Sequence, residues 1–377
     1  MFSGGWTGMK YGFDLRATAA RLRDKNRAMK IGLVRRGYSP SGGAERYLRR
    51  FAAELVRASH TCALFSSEPW PDWQHDFFLV KGNTPRAFAD ALSAARPREK
   101  CDRLFSLERV WECDCYRAGD GVHRVALAQR ARFEPGLRTW IRKFDRTHRE
   151  LLEIEAHLFS RSGAGTVIAN SKMVRREIVQ EYGFAEEKIA VIYNGLPAEK
   201  LQPQLPDRLA ARRQFALRDD EMVALFVGSG WERKGLRFAM QAVEKLRHAT
   251  LLVAGRGKTR GLPRAPRSRF LGEVEQLAAL YAAADVFVLP TIYEPFSNAC
   301  LEAAAAGLPI VTTVFNGFAE LFTPGLVLSD PRDITTLSAA IGSCGERREI
   351  NVERCREAIR GYSIERNVAE TLAWLEP

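Results

Sequence analysis

Glu294 and Glu302 stand eight residues apart in the stretch EPFSNACLEAAAAGLPIVTT, which runs from Glu294 to Thr313. Pro295 pushes Glu294 toward extended geometry and out of helix. Ser297 or Asn298 is a natural N-cap for the Ala-rich run that follows. Glu302 then lies about one turn inside that helix. Both carboxylates can face whatever lies against the helix start, where free backbone N–H groups also point. Two carboxylates so placed are available for general acid and base work.

A second constellation precedes them. Gly228-Ser229-Gly230-Trp231-Glu232-Arg233-Lys234-Gly235 follows an apolar strand-like run and opens an amphipathic helix. Its glycines allow close approach of a ligand, and Arg233 and Lys234 offer a guanidinium fork and a point charge to phosphate oxygens. The spacing is not that of a Walker A loop. A solvated basic turn is the plainer reading of this stretch taken alone.

Along the chain, short apolar runs alternate with amphipathic helices. Ile31–Val34 reads as a strand, Ser41-Gly42-Gly43 as a glycine turn, and Tyr47, Leu48, Phe51, Ala52 and Leu55 mark one helical face. Further strands are expected at 61–66, 77–80, 103–107, 166–169 and 189–193, with helices at 86–95 and 172–182. Pro197, Pro203 and Pro206 make a linker. The series then restarts at Met222–Val227 and runs through strands at 250–254, 269–271, 286–289 and 309–313. Two such series predict an α/β chain with two Rossmann-like domains facing each other across a cleft, with ligands beyond the strand C-termini. The expected divisions are a disordered leader at 1–28, a first domain at 29–196, a second at 197–360, and a last helix at 361–377 crossing back to the first domain.

The chain has 377 residues and a formal net charge of +12, which points to an acidic partner: nucleic acid, an anionic membrane surface or a phosphorylated substrate. Seven scattered cysteines fit a reduced cytosolic setting, and Cys113-x-Cys115 lacks a second pair at metal spacing. No run of eighteen apolar residues spans a bilayer.

Several stretches in order resemble the retaining GT-B glycosyltransferases of family four. They are Ser41-Gly42-Gly43-Ala44-Glu45, Ile168-Ala169-Asn170-Ser171, Val191-Ile192-Tyr193-Asn194-Gly195, Arg233-Lys234-Gly235, Ala284 to Pro290 and Glu294-x7-Glu302. Within that family, Asp114 to His123 resembles the lipopolysaccharide core glucosyltransferases that add the first glucose to inner-core heptose. The resemblance implies transfer of a hexose, glucose above all, from a UDP-sugar to a lipid-linked acceptor at the cytosolic membrane face, with no metal or other cofactor. It gives Arg233 and Lys234 the donor diphosphate, Glu302 the ribose, and Glu294 with Phe296, Ser297 and Asn298 the donor sugar. Gly42 and Gly43 would approach the diphosphate from the first domain, and Asp120, then His123, would lie nearest the acceptor hydroxyl. Retention in the family is described as front-face attack, so no protein nucleophile is required.

From Arg124 to Arg149, eight basic residues face only Glu134 and Asp145, with Phe133, Leu137, Trp140, Ile141 and Phe144 spaced for one helical face. Such a helix suits a membrane interface, each basic residue adding roughly 1 kcal/mol near an anionic surface. Aromatics among arginines also suit RNA, but no RNA-binding signature accompanies them. A basic nucleic-acid-binding protein would leave the paired glutamates unexplained. A two-domain dehydrogenase would want a G-x-G-x-x-G turn, which SGGAE does not supply. No nucleic-acid partner is expected.

Overall fold

A computed structural model describes residues 28–39, 43–133, 145–321 and 325–376. Residues 1–27 of the expected leader, Gly42, and residues 134–144 of the basic segment lie outside the described residues.

The first sheet contains β1 (Lys30–Val34), β2 (Thr61–Ser66), β3 (Asp76–Leu79), β4 (Arg103–Ser106), β5 (Cys113–Ala118), β6 (Ala164–Ala169) and β7 (Ile189–Val191). The second contains β8 (Met222–Val227), β9 (Ala249–Ala254), β10 (Ser268–Gly272), β11 (Val286–Leu289), β12 (Ile310–Thr313) and β13 (Leu326–Leu328). Their orders are β3-β2-β1-β4-β5-β6-β7 and β10-β9-β8-β11-β12-β13, with every pairing parallel. Parallel neighbours need crossovers, and helices supply them, so the strands are covered and their sequences run apolar. Val223 to Phe226 in β8 and Val286 to Leu289 in β11 are fully buried.

The chain winds outward from β1 to β3 and returns to β4 on the other side of β1. It does the same around β8, returning to β11. Each reversal leaves a crevice beyond the strand ends, between β1 and β4 and between β8 and β11. The loops leaving β8 and β11 carry Arg233-Lys234 and Glu294, so the topology alone brings those groups to one place.

β5 and β13 were not foreseen. In CDCYRA the apolar runs are too short to stand out, although Cys113, Cys115, Tyr116, Arg117 and Ala118 are all buried. Its two cysteines are free and buried, and no group of three or more His, Cys, Asp or Glu among the described residues is arranged to hold a metal ion. No described helix is long and apolar enough to cross a membrane.

The last helix, Ile364–Leu375, lies against the helix Gly43–Arg57 of the first sheet. Ile364, Val368 and Leu375 join Leu48, Phe51 and Leu55 in one apolar cluster. Leu196 and the turn before this helix exchange backbone bonds, Leu196 N–H to Tyr362 O at 2.9 Å and Ile364 N–H to Leu196 O at 2.9 Å.

Phe133, placed on a membrane-facing stripe by its spacing, is instead 5% exposed within the second domain's core. Its carbonyl accepts from Arg237, and its ring sits 5.7 Å from Phe315. The end of helix His123–Phe133 is thus a contact between the two halves of the chain. Leu137, Trp140, Ile141 and Phe144 lie outside the described residues.

Candidate active site

Ser297 is the N-cap of helix Asn298–Ala305, its hydroxyl accepting from Cys300 N–H at 3.2 Å. Glu294 sits before it in extended backbone, bridged in parallel to Asn316, with Glu294 N–H donating to Phe315 O at 2.8 Å. Its carboxylate turns to the loop after β8. Lys234 Nζ lies 2.6 Å and Arg233 Nη1 2.9 Å from the same oxygen, Oε2. Burial pushes the Glu294 carboxyl up, but Lys234 and Arg233 outweigh it and hold it below the ordinary carboxylate range. Gly235 must be glycine: its φ is +76° and a Cβ would strike the Pro290 carbonyl.

Glu302 faces elsewhere. Lys200 Nζ donates to its Oε1 at 2.6 Å and the Tyr281 hydroxyl to its Oε2 at 3.3 Å. Glu302, Asn298 and Phe296 line a cleft of about 680 Å³ together with Gly43 and Asp120 of the first domain. Asn194 Nδ2 donates across it to Asn298 Oδ1 at 2.8 Å. Arg233, Lys234, Glu294 and Ser297 are not among the residues that line this cleft.

Asp120 is exposed at the tip of the turn after β5. The turn is fixed from below. Glu155, fully buried, accepts from Arg109 Nε at 2.8 Å, His123 N–H at 2.7 Å, Arg124 N–H at 3.1 Å and the Tyr182 hydroxyl at 2.7 Å. Burial raises the Glu155 carboxyl, yet Arg109 and these donors bring it below the ordinary range. Arg109 Nη2 also donates to Gly121 O at 2.8 Å. From the second domain, the Tyr293 hydroxyl accepts from Val122 N–H at 2.8 Å and donates to Glu177 Oε2 at 2.7 Å.

His123 is not brought to the cleft. As the first residue of its helix it points its ring at His148, Nε2 to Nδ1 at 3.2 Å. Burial, then Arg109, push it down to about 4, so it is neutral near pH 7.

Sequence reasoning missed Glu45, Arg117, Asn170 and Lys200, all in the cleft lining. Arg117 and Asn170 sit at the ends of β5 and β6, where ligand-facing side chains of such sheets belong. That placement was the available signal, open for Asn170 from the expected strand at 166–169 and for Arg117 only once β5 is recognised.

A family described as Glycosyltransferase Family 4 matches residues 41–200, and one described as Glycosyl transferases group 1 matches residues 221–346. The two matches fall one on each sheet. The chain belongs to the group 1 glycosyltransferases of GT-B type. Among relatives of this chain, a glycosyltransferase of Methanocaldococcus jannaschii is 36% identical over 170 residues, 41% of this chain and 44% of that one. The chain spans about half the length of the first curated relatives it matches. Lipopolysaccharide glucosyltransferase WaaG of Escherichia coli is 23% identical over 320 residues, 78% of this chain and 83% of that one. A crystal structure of WaaG superimposes with a TM-score of 0.77 at 20% identity, covering 92% of this chain and 99% of that one. The structure of Anabaena HepE in complex with UDP-glucose gives 0.68 at 19% identity, covering 92% and 99%. At these identities the structural matches establish the fold.

Proposed function

We propose that this chain moves a hexose, glucose above all, from a UDP-sugar to a lipid-linked saccharide with retention at the anomeric carbon. The observation that carries the reading is the cluster at the second sheet's switch point. Two cations converge there on Glu294 Oε2, while Glu302, about one turn into helix Asn298–Ala305, lines the cleft. Arg233 and Lys234 are the groups to neutralise the leaving diphosphate, whose developing charge is the main electrostatic demand of the reaction. Glu302, with two acceptor oxygens, holds the ribose diol. Glu294 and the backbone from Phe296 to Asn298 hold the sugar. Gly42 and Gly43 approach the diphosphate from the first domain, and Asp120 stands nearest the acceptor hydroxyl. The leaving phosphate helps to take the acceptor proton, so neither a protein nucleophile nor a metal is assigned.

UDP-glucose as donor is supported by the likeness to HepE, solved with that ligand. Lipopolysaccharide as acceptor is supported by the likeness to WaaG, and its inner-core heptose by the resemblance of the stretch Asp114 to His123. A lipid-linked acceptor places the protein peripherally on the inner face of the cytoplasmic membrane, held in part by the basic residues between Arg124 and Arg149. Within the same chemistry, another donor or another cell-envelope acceptor is the second reading. A panel of UDP-sugars assayed for transfer to heptose-containing truncated lipopolysaccharide tests it. Transfer of glucose with retained configuration is expected; no transfer from any UDP-sugar to any envelope saccharide would refute the reading.

A further inference from the structure

The first domain's side of the cleft holds three polar side chains that are almost out of solvent and incompletely bonded. Glu45 is 4%, Arg117 5% and Asn170 1% exposed. Glu45 Oε2, Arg117 Nη1 and Asn170 Oδ1 have no hydrogen-bond partner among the described residues. All three residues line the cavity that also contains Asp120 and Glu302.

Each is anchored through its other polar atoms. Glu45 Oε1 accepts from Arg35 Nε at 3.2 Å. Arg117 Nη2 donates to Asn194 Oδ1 at 2.8 Å, and the guanidinium lies 4.3 Å over the Tyr47 ring. Asn170 Nδ2 donates to the carbonyl of Gly119, beside Asp120, at 3.0 Å. The side chains are therefore held in place, and what is left over is one donor and two acceptors. Leaving such an atom buried and unmet costs roughly 1–3 kcal/mol. Three around one cleft are a poor outcome for folding alone and a natural one for a site that completes its bonds with a ligand.

We propose that Glu45, Arg117 and Asn170 form a hydroxyl-reading subsite for the acceptor sugar, next to Asp120. The mixture of groups selects the ligand class. An oxyanion would satisfy Arg117, but it has no proton to give Glu45 or Asn170 and is repelled by the carboxylate. A ring hydroxyl accepts from Arg117 Nη1 and donates to Glu45 Oε2 or Asn170 Oδ1, closing the circuit. The ligand is a neutral polyol ring. The subsite lies on the first domain, across the cleft from Glu302 and apart from Arg233 and Lys234. It rests on the glycosyl-transfer reading above and adds to it the residues that choose the acceptor.

The test is saturation-transfer NMR on the UDP-loaded full chain with a panel of methyl glycosides of glucose, galactose, mannose and heptose, for the wild type, Arg117→Met and Asn170→Leu. UDP titrations of the same preparations run alongside. The wild type is expected to bind at least one glycoside. Both variants are expected to lose that binding by roughly tenfold or more, with UDP affinity held. Wild type that binds UDP but no glycoside, either variant binding as the wild type does, or UDP affinity falling in step with glycoside binding would each overturn the subsite and leave the donor reading standing. Wild type that does not bind UDP would remove both.

Discussion

Lys234 Nζ lies 2.6 Å from Glu294 Oε2, on an oxygen that Arg233 also reaches at 2.9 Å. Both groups sit well inside the fold, with 12% and 11% of their side chains exposed. Lys234→Ala leaves Glu294 with Arg233 as its remaining cation, so it should cost about 2 kcal/mol in denaturant unfolding, the loss of a charged hydrogen bond, as well as weakening UDP binding. Glu294→Gln leaves both cations in place. It should keep UDP affinity and lose transfer, and the two titrations together separate a sugar-holding role from a diphosphate one.

Lys200 and Glu302 form a partly exposed pair that a ribose must share or displace. A pair of this kind contributes about 0.5 kcal/mol. Lys200→Ala should therefore leave UDP affinity unchanged or slightly tighter, whereas Glu302→Ala should weaken it at least roughly tenfold, the loss of a charged hydrogen-bonding partner. Calorimetric titration with UDP reads both.

Gly121 has φ +69°, and a Cβ there would collide with the Tyr293 hydroxyl and come within 2.6 Å of Pro295 Cγ. Gly121→Ala should lower the melting temperature, with about 1 kcal/mol from the backbone alone, and depress turnover by shifting Asp120. Gly119→Ala meets nothing within 4 Å and is the control for melting temperature.

Burial pushes the Glu177 carboxyl up to about 7 from an ordinary 4.5, against the opposing hydrogen bond from Tyr293. Between those values the folded chain keeps a proton that the unfolded chain has released. The stabilisation is full below pH 4.5 and is lost as pH rises through 7. The wild type should lose melting temperature between about pH 4.5 and 7, and Glu177→Gln should flatten that slope.

Much of the two-sheet plan was legible because buried parallel strands read as uninterrupted apolar runs, as in Val223–Phe226 and Val286–Leu289. β5 escaped because Asp114 and Arg117 interrupt it, and with β5 went the floor of the cleft. The Ser297 cap and the helical position of Glu302 followed from local rules about proline and capping. The partition of the two glutamates did not: that Glu294 turns to Lys234 while Glu302 turns to Lys200 depends on how the β8 loop and the segment around Lys200 meet helix Asn298–Ala305. His123 looked available from its neighbours in sequence. Its first-turn position instead aims the ring at His148, a contact 25 residues away in sequence.

The proposed transfer requires the cleft lined by Glu302 to bind a nucleoside diphosphate, with Lys234 serving its phosphates. Calorimetric titration of UDP into the wild type, Lys234→Ala and Glu302→Ala tests it most directly. Saturable binding to the wild type, weakened at least roughly tenfold in both variants while their circular dichroism is unchanged, is the expected result. Equal UDP affinity in all three proteins, or no binding to any, would contradict it.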